Sequence, residues 1–533
     1  NEGQKKAILH VLYSRDRVTG IRGGAGVGKT TLMTEAVAAL EEAGKKVFTF
    51  APTSEASRGV LRSEGFKNAD TVQRLIVDKN LQAELKNQII WIDEAGLLGA
   101  KSMNQVFQVA AKQNARVILS GDYYQHGSVE RGDAMRILEQ QAGLRSAIVS
   151  EIKRQQGKYK EAVEDLAKGD IEAGFEKLDR MGVIKEIKSE ERHEQLAMDY
   201  LKAIRQGKTA LVVSPTHKEG DKVTALIRAE LKKDWAVGKE DREVFQQKNL
   251  NFTEAQKTDP KNYKPGMVLQ LNQNIGGLIY GVRAKGLDIR TKRLNHLVRG
   301  EKLTVMEVNE QGEMLLKRQN GNLAGISLKH SKKFQVYEAK TIPLATGDRI
   351  RITQNGTTLD NHRLNSGALY QVKDFTSGGN IILNNDWVLP KDYGNLAHGY
   401  CSTSYSAQGK TVDQVFIAQS AESGLAASRE QFYVSVSRGR EKVTIYTDGK
   451  SMLREAIRGS GARLSATELA SSKKQQKQSG KQFKAAFLVN RLAAYLSLFS
   501  RNTKSAILNK YGRAADYAQE RLHNLQWEYQ RER

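Results

Sequence analysis

The sequence predicts an α/β protein with two parallel sheets and a β-rich segment inserted in the second. Two stretches of the 533-residue chain alternate short apolar runs with amphipathic helices, a pattern typical of parallel strands covered on both faces. Between them, residues 240–395 contain short alternating runs separated by Gly and Asn turns. A basic, polar stretch, residues 459–533, follows the last apolar run. The length also requires several domains, since single cores stop growing at about 250–300 residues.

Each α/β stretch has its own set of predicted strands. The first domain, residues 1–150, has apolar runs at 18–22, 46–51, 88–92 and 116–120. Residues 30–43 between them form an amphipathic helix that Gly44 closes. The second domain begins with residues 151–239 and resumes at 396–458. Its apolar runs lie at 210–213, 415–418 and 443–446.

The inserted segment contains a weak internal repeat. Residues 266–274 align with 347–355, 300–308 with 367–375, and 312–316 with 379–383, each pair beginning at a glycine. Alternating apolar residues between turns predict two small β-barrels related by duplication. The alternative is chance similarity between two β-rich segments.

Charge is the most unusual feature of the composition. The chain has 84 Lys and Arg against 60 Asp and Glu, a net charge of +24. Such an excess indicates a polyanionic partner, although a solvated basic surface is the alternative. Residues 450–533 alone hold 17 Lys and Arg against 6 Asp and Glu. There the sequence predicts a polar linker followed by basic amphipathic helices at about 482–499 and 513–529.

Two classes of protein are excluded by composition. The single cysteine, Cys401, excludes a disulfide framework and a cysteine metal cluster, and it suits a reducing, cytoplasmic compartment. The sequence lacks an apolar run of 18 residues, so we expect no membrane insertion. It also begins without Met or a signal peptide, which suggests a fragment or a processed form.

A phosphate-binding loop is the most specific motif in the chain. The sequence GGAGVGKT at 23–30 matches G-x-x-x-x-G-K-[ST], and it lies between a predicted strand and a predicted helix. Its backbone N–H groups would surround the phosphates of ATP, Lys29 would reach the β- and γ-phosphates, and the Thr30 hydroxyl would bind Mg²⁺. The nucleotide-binding residues predicted here are Gly23, Gly24, Ala25, Gly26, Val27, Gly28, Lys29, Thr30 and Thr31.

Two further strand ends supply the polar groups that hydrolysis requires. The apolar run 89–92 ends in Asp93 and Glu94. Asp93 would hold Mg²⁺ and Glu94 would polarise the attacking water. The next strand leads to Gln125, which could contact the γ-phosphate; taken alone, this residue is better explained as part of an ordinary strand-to-loop turn.

In order along the chain, these motifs resemble those of superfamily 1 helicases of the RecD-like branch. The matching segments are the one around Gln4, FAPTS at 50–54, ADTVQ at 69–73, DEAG at 93–96, GDYYQ at 121–125, EIKRQ at 151–155, VVSPTH at 212–217, SYSAQGKT at 404–411 and QFYVSVSRGR at 431–440. The chain departs from the pattern at Tyr405, where relatives often carry His. The resemblance implies two RecA-like P-loop motor domains with SH3-like β-barrel inserts, and a helical basic C-terminal extension.

The resemblance also assigns further roles. Gln4 would read the adenine, Gly409 would contact the nucleotide, and Arg154 and Arg438 would act as arginine fingers beside the catalytic Glu94, Lys29 and Gln125. Arg440 ranks below Arg438, because it could equally be a surface charge. The residues that would contact single-stranded DNA are Pro52, Thr53, Ser54, Thr71, Thr216, His217 and Ser406. Each Ser or Thr among them could instead be a residue of a turn or a helix cap.

Within the branch, the segments after residues 91 and 120 resemble conjugative relaxase–helicases of the TraI/TrwC (MobF) type. This resemblance implies ATP-dependent 5′→3′ translocation on single-stranded DNA and unwinding of a duplex fork. It also implies that relaxosome and type IV secretion components are partners, and that the chain is cut from a longer protein. Two alternatives stay open. They are a stand-alone repair or RNA helicase of superfamily 1, and a non-catalytic strand-binding module.

Overall fold

The computed structural model describes residues 2–275, 297–420 and 426–462, without the side chains of Ser189 and Glu190. The two helices predicted near the C-terminus, and the predicted linker from residue 463 onward, lie outside the described residues. The description below concerns the described ranges, which form one compact unit.

The first parallel sheet is formed by residues before 150, as the apolar runs predicted. Its six strands, in spatial order, are Asp70–Thr71, Val47–Ala51, Ile89–Ile92, Arg116–Gly121, Val18–Gly23 and Ser146–Val149. All the pairings are parallel. Helices pack on both faces, so every residue of the central strand Ile89–Ile92 is buried. These helices are Glu2–Tyr13, Lys29–Glu42, Val72–Val77, Lys79–Glu84, Ala100–Lys112 and Ala134–Gln141.

The second parallel sheet is formed by residues from both sides of the inserted segment. In spatial order its strands are Cys401–Ser402, Ala210–Val213, Val412–Ala418, Gly439–Thr447 and Ile184–Glu186. The α-helices of this domain are Gly157–Lys168, Ile171–Arg180, Ser189–Arg205, His217–Lys233, Ser404–Ala407, Arg429–Val436 and Lys450–Arg458. One apolar cluster contains Ala25 and Met33 of the first domain and Phe432 and Val436 of the second, so the two domains share a core beside the phosphate-binding loop.

The inserted segment forms two larger antiparallel sheets and a two-stranded one, which pairs Gly356–Thr357 with Arg363–Leu364. The first consists of Leu323–Ser327, Glu313–Arg318, Lys302–Val308, Val268–Leu271, Phe334–Leu344 and Arg242–Asn249. The second consists of Val388–Leu389, Ile381–Leu383, Leu369–Phe375, Arg349–Ile352 and Leu396–His398. The last of these strands lies just beyond the predicted boundary at residue 395, because its backbone pairs with Arg349–Ile352 before the chain returns to the second parallel sheet at Cys401.

The two insert sheets have the same strand register, as the predicted repeat requires. Val268 pairs with Thr304 in the first sheet, and their aligned counterparts, Arg349 and Gln371, pair in the second. A break in register also falls at the same place in both: between Val305 and Glu307, and between Val372 and Asp374. Glycines that begin the aligned segments have positive φ values, 89° at Gly266 and 86° at Gly347. Shared irregularities of this kind argue against chance similarity.

A buried ion pair fastens the second insert to the second domain. Arg228 donates to both carboxylate oxygens of Asp348, at 2.8 and 2.6 Å, and Tyr400 donates to the same carboxylate at 2.9 Å. The Asp348 side chain is fully buried. Each oxygen therefore has partners, which is what allows a charge to remain in the interior.

Replacing Asp348 with Ala should lower the free energy of unfolding by about 3 kcal/mol, because Arg228 would be left buried with a single remaining carboxylate partner, Asp241. Urea denaturation followed by tryptophan fluorescence measures this change. The matched control is Arg205→Ala, which breaks the exposed pair with Asp234 and should cost less than about 1 kcal/mol. Equal losses in both variants would contradict the prediction.

Candidate active site

The phosphate-binding loop has the conformation that its glycines predict. Gly26 and Gly28 both have φ of 79°, in the left-handed region, and helix Lys29–Glu42 begins directly after Gly28. The Lys29 Nζ donates to the carbonyl oxygens of Gly23 and Gly24, at 2.7 and 3.1 Å. The lysine therefore lies over the loop, at the helix N-terminus that favours anions.

A cavity of about 350 Å³ opens in front of this loop, between the two α/β domains. Most of the predicted catalytic and nucleotide-binding residues line it. They are Gly24, Ala25, Gly26, Gly28, Lys29, Thr30, Thr31, Asp93, Glu94, Gln125, Arg154, Gly409 and Arg438. We call this space the nucleotide cavity.

Three of the predicted nucleotide-binding residues lie behind the cavity wall. Gly23 contributes the carbonyl that holds Lys29, and Val27 is buried in the shared core. The Gln4 amide donates to the carbonyls of Val27 and Gly28 at 3.1 and 3.2 Å, and it accepts from Lys153 Nζ at 2.8 Å. Gln4 thus supports the loop from outside, beside the cavity.

Two adjacent carboxylates occupy the end of the buried strand Ile89–Ile92. Asp93 accepts a hydrogen bond from Ser120 Oγ at 2.8 Å. Burial, together with the charge of Glu94, raises the pKa of Asp93 to about 6. Glu94 has a left-handed backbone with φ of 52°, which turns the chain sharply after the strand. A carboxylate that is costly to ionise in isolation is one that a cation would stabilise.

Gln125 belongs to a small hydrogen-bonded group that links the two domains. Its amide donates to Asp122 at 3.2 Å, and Tyr433 of the second domain donates to the same Asp122 oxygen at 3.4 Å. The Tyr433 hydroxyl also accepts from the backbone N–H of Ala25 at 2.8 Å. Sequence reasoning gave Tyr433 no role, although it lies inside the matched segment 431–440.

Both predicted arginine fingers lie at the nucleotide cavity. Arg154 donates to the carbonyl of Ser437 at 2.8 Å, and Arg438 donates to the carbonyl of Val434 at 2.8 Å. Burial and the charge of Arg438 lower the pKa of Arg154 to about 9, and burial also lowers the pKa of Arg438. Two guanidinium groups held so close, away from water, favour the arrival of an anion.

The residues present fit a magnesium nucleotide. The Thr30 hydroxyl and the Asp93 carboxylate line one cavity, and hydroxyl and carboxylate oxygens are the ligands that Mg²⁺ prefers. The Gln125 Oε1 is buried and has no hydrogen-bond partner among the described residues, although its side chain lines the same cavity. Positive charge for the phosphates comes from Lys29 and the two arginines, and the loop adds N–H donors.

A second cavity, of about 280 Å³, adjoins the first. Three of the predicted strand-binding residues line it: Thr53, Ser54 and Ser406. Four do not, namely Pro52, Thr71, Thr216 and His217. Thr71 and Thr216 instead cap helices Val72–Val77 and His217–Lys233, accepting from the backbone N–H groups of Arg74 and Glu219. Because a helix begins at these positions, the capping role foreseen as their alternative is the one that the geometry displays.

We call this second space the strand cavity, after the DNA strand that its predicted contact residues would bind. It includes residues that sequence reasoning missed. Arg351, Thr353 and Ser366 come from the second insert, Glu55 follows the matched segment 50–54, and Tyr405 and Lys410 lie inside the matched segment 404–411. Position in or next to a motif could have singled out the latter three. The insert residues carry no such signal, because only the fold brings strand Arg349–Ile352 to the domain junction.

The two cavities share a wall. Glu94 and Gly409 line both, and the Gln408 amide, in the strand cavity, donates to Glu94 Oε2 at 3.2 Å. A carboxylate that lines the nucleotide cavity is therefore hydrogen-bonded to a residue that lines the neighbouring cavity. Such an arrangement can couple the occupancy of one cavity to the chemistry in the other.

Comparisons with known proteins agree with this geometry. The family model described as an AAA domain matches residues 1–189, and that of the UvrD-like helicase C-terminal domain matches residues 398–446. The multifunctional conjugation protein TraI of Escherichia coli K12 is 25% identical over 513 residues, covering 85% of this chain and 28% of that protein. The probable conjugal transfer protein TraA of Sinorhizobium fredii is 23% identical over 457 residues, and this match covers 85% of this chain and 33% of that protein.

The two-domain nucleotide site and these matches support an ATP-dependent DNA helicase, and the chain is similar to the helicases of superfamily 1. More particularly, it resembles the helicase portion of the conjugative relaxase–helicases. The chain spans about a third or less of the length of these relatives. A solved structure of the Pif1 helicase from Candida albicans has a TM-score of 0.43 and 14% identity, covering 89% of this chain and 99% of that chain.

Proposed function

We propose that this chain uses Mg²⁺-bound ATP to move 5′→3′ along single-stranded DNA and to separate the strands of a duplex fork. The observation that carries the proposal is the shared wall, in which Glu94 faces the nucleotide cavity and also contacts Gln408 of the strand cavity. A motor needs this coupling, since hydrolysis must respond to the strand. A passive strand-binding module would not need Lys29, Asp93, Glu94, Gln125 and Arg438 at one cavity.

Each residue of the nucleotide cavity has a distinct role in this proposal. Thr30 and Asp93 hold Mg²⁺, which supplies charge neutralisation for the phosphates. Lys29 and the loop N–H groups bind the phosphates, Glu94 orients and accepts a proton from the attacking water, and Gln125 contacts the γ-phosphate. Arg154 and Arg438 stabilise the charge of the transition state. Because Arg438 comes from the second domain, turnover changes how tightly the two domains are held together.

The biological setting follows from the relatives, whose names refer to conjugation. We propose that the chain unwinds plasmid DNA during conjugative transfer in the cytoplasm, with relaxosome and type IV secretion components as partners. The inserts, which we interpret as SH3-like barrels, would border the strand, since Arg351, Thr353 and Ser366 line the strand cavity. None of the helices in the described ranges combines the length and the apolar content that crossing a membrane requires.

Unwinding of tailed duplexes tests this proposal directly. Duplex DNA with a 5′ single-stranded tail should be separated when ATP and Mg²⁺ are present, whereas the same duplex with a 3′ tail should stay intact. Fluorescence from a labelled strand follows the reaction. Efficient unwinding from a 3′ tail would overturn the polarity, and preference for an RNA tail would favour an RNA helicase. ATP hydrolysis equal with and without single-stranded DNA would refute the coupled motor.

A further inference from the structure

An ion pair crosses the strand cavity and joins the two α/β domains. Lys410 Nζ lies 3.2 Å from Glu55 Oε1. Glu55 begins the π-helical turn Glu55–Leu61, directly after the matched segment 50–54, whereas Lys410 lies in the second domain after helix Ser404–Ala407. Burial raises the pKa of Glu55, and the nearby Lys410 opposes this effect. The pair therefore occupies a partly desolvated position within the space that the strand would fill.

Arg351 adds a second cation to the same cavity, and its charge is poorly compensated. The guanidinium donates to Ser406 Oγ at 3.4 Å, and its buried Nε has no hydrogen-bond partner among the described residues. Burial lowers the pKa of Arg351, and nearby Cys401 and Glu55 oppose this effect. A buried guanidinium with an unmatched donor is costly, and a bound anion would relieve that cost.

Glu55 is placed so that it cannot easily move aside. A Cβ built on Gly367 of the second insert would come within 2.0 Å of Glu55 Oε2, and Gly367 has φ of 95°. The insert backbone therefore packs directly against the carboxylate. Next to it, Asn355 of the insert donates to Ser54 Oγ at 3.2 Å. Glu55 is thus held by Lys410 of the second domain and by the insert.

We propose that Lys410 and Arg351 bind a phosphate of the single strand, and that Glu55 competes with this phosphate for Lys410. The proposal rests on the proposed function and extends it to a particular subsite for the phosphodiester backbone. Binding of the strand transfers Lys410 from Glu55 to the phosphate. One ion pair between the two α/β domains is thereby exchanged for a contact with the strand, so the strand both fills the cavity and loosens a restraint between the domains.

Charge removal at Glu55 gives the most direct test. Glu55→Gln should bind labelled single-stranded DNA about fivefold more tightly in fluorescence anisotropy, since the competing carboxylate is gone. The plot of log Kd against log salt should also be steeper by up to about 0.7, the full contribution of one single-strand phosphate. In the unaltered protein part of that contribution is lost, because Glu55 recruits a cation when Lys410 leaves it. The control Glu42→Gln removes an exposed charge from helix Lys29–Glu42.

A second pair of variants separates competition from general electrostatics. Lys410→Ala should weaken strand binding, and adding Glu55→Gln to it should restore little, because Lys410, the cation that pairs with Glu55, is already gone. Unchanged affinity in Glu55→Gln, a gain matched by Glu42→Gln, or a gain that persists without Lys410 would each overturn the inference. If the unaltered protein itself fails to bind single-stranded DNA, the proposed function fails first, so the two failures can be told apart.

Discussion

Lys29→Ala should reduce strand-stimulated ATP hydrolysis by about a thousandfold. The Lys29 ammonium lies over the phosphate-binding loop, 2.7 Å from the carbonyl of Gly23, and it lines the nucleotide cavity. Alanine removes the flexible cation that would follow the γ-phosphate as charge develops, while the loop N–H groups remain. Phosphate release at saturating ATP and single-stranded DNA measures the loss.

The matched control for this variant is Lys45→Ala. Lys45 is an exposed lysine near the other end of the same helix, where its side chain donates to the carbonyl of Asn87. The Lys45→Ala substitution removes the same charge from the same domain, and the rate of ATP hydrolysis should stay within about twofold of that of the unaltered protein. Circular dichroism should show both variants folded. Lys29→Ala protein that retained a tenth of the activity would contradict the assignment of the loop as the catalytic phosphate site.

Arg438→Ala should lower turnover by about 10³-fold, the range expected for an arginine finger. Arg438 is a second-domain cation at the nucleotide cavity, and it is almost completely buried. Affinity for nucleotide should fall much less than turnover, because the first domain supplies the loop and Lys29. Measuring ATP binding with a fluorescent analogue alongside hydrolysis separates the two effects.

Arg440→Ala provides the comparison that the sequence left open. Its guanidinium is half exposed and pairs with Asp413 at 2.9 Å, although its side chain reaches the rim of the same cavity. We expect a change below about tenfold, since an exposed, screened charge contributes little. Because burial makes Arg438→Ala prone to misfolding, Arg438→Lys is the second variant. Lysine keeps the charge without the planar fork, so it should fold and still lose most turnover. Equal effects at 438 and 440 would contradict the ranking.

The local pattern of the sequence predicted the two α/β domains well, because each buried strand is a continuous apolar run. Residues 89–92 and 210–213 needed no knowledge of the fold to be recognised. The internal repeat was also readable, since Gly266 and Gly347 mark the same turn in both copies. The end of the insert was harder to predict. The strand at 396–398 is short, and only its pairing with a distant strand defines it.

The nucleotide site was predicted more completely than the strand site, for a physical reason. Phosphate binding by a loop requires contiguous residues with a fixed backbone, so a short motif contains most of the information. The strand cavity is assembled from three parts of the chain, and Arg351 joins it only through tertiary packing. Thr71 and Thr216 show why hydroxyl residues are poor signals of a strand site, since a hydroxyl at a helix start satisfies local backbone groups whether or not a ligand is near.

The strand Phe334–Leu344 has a mechanical consequence. Its eleven residues extend over about 36 Å, pairing with Val268–Leu271 at one end and with Arg242–Asn249 along the rest, and the chain then passes directly into the second insert. Lys302 of the first insert also donates to the carbonyl of Tyr393 in the second, at 2.7 Å. A force applied to either insert is therefore transmitted to the other. The pair should act as a single stiff lever anchored through Arg228 and Asp348.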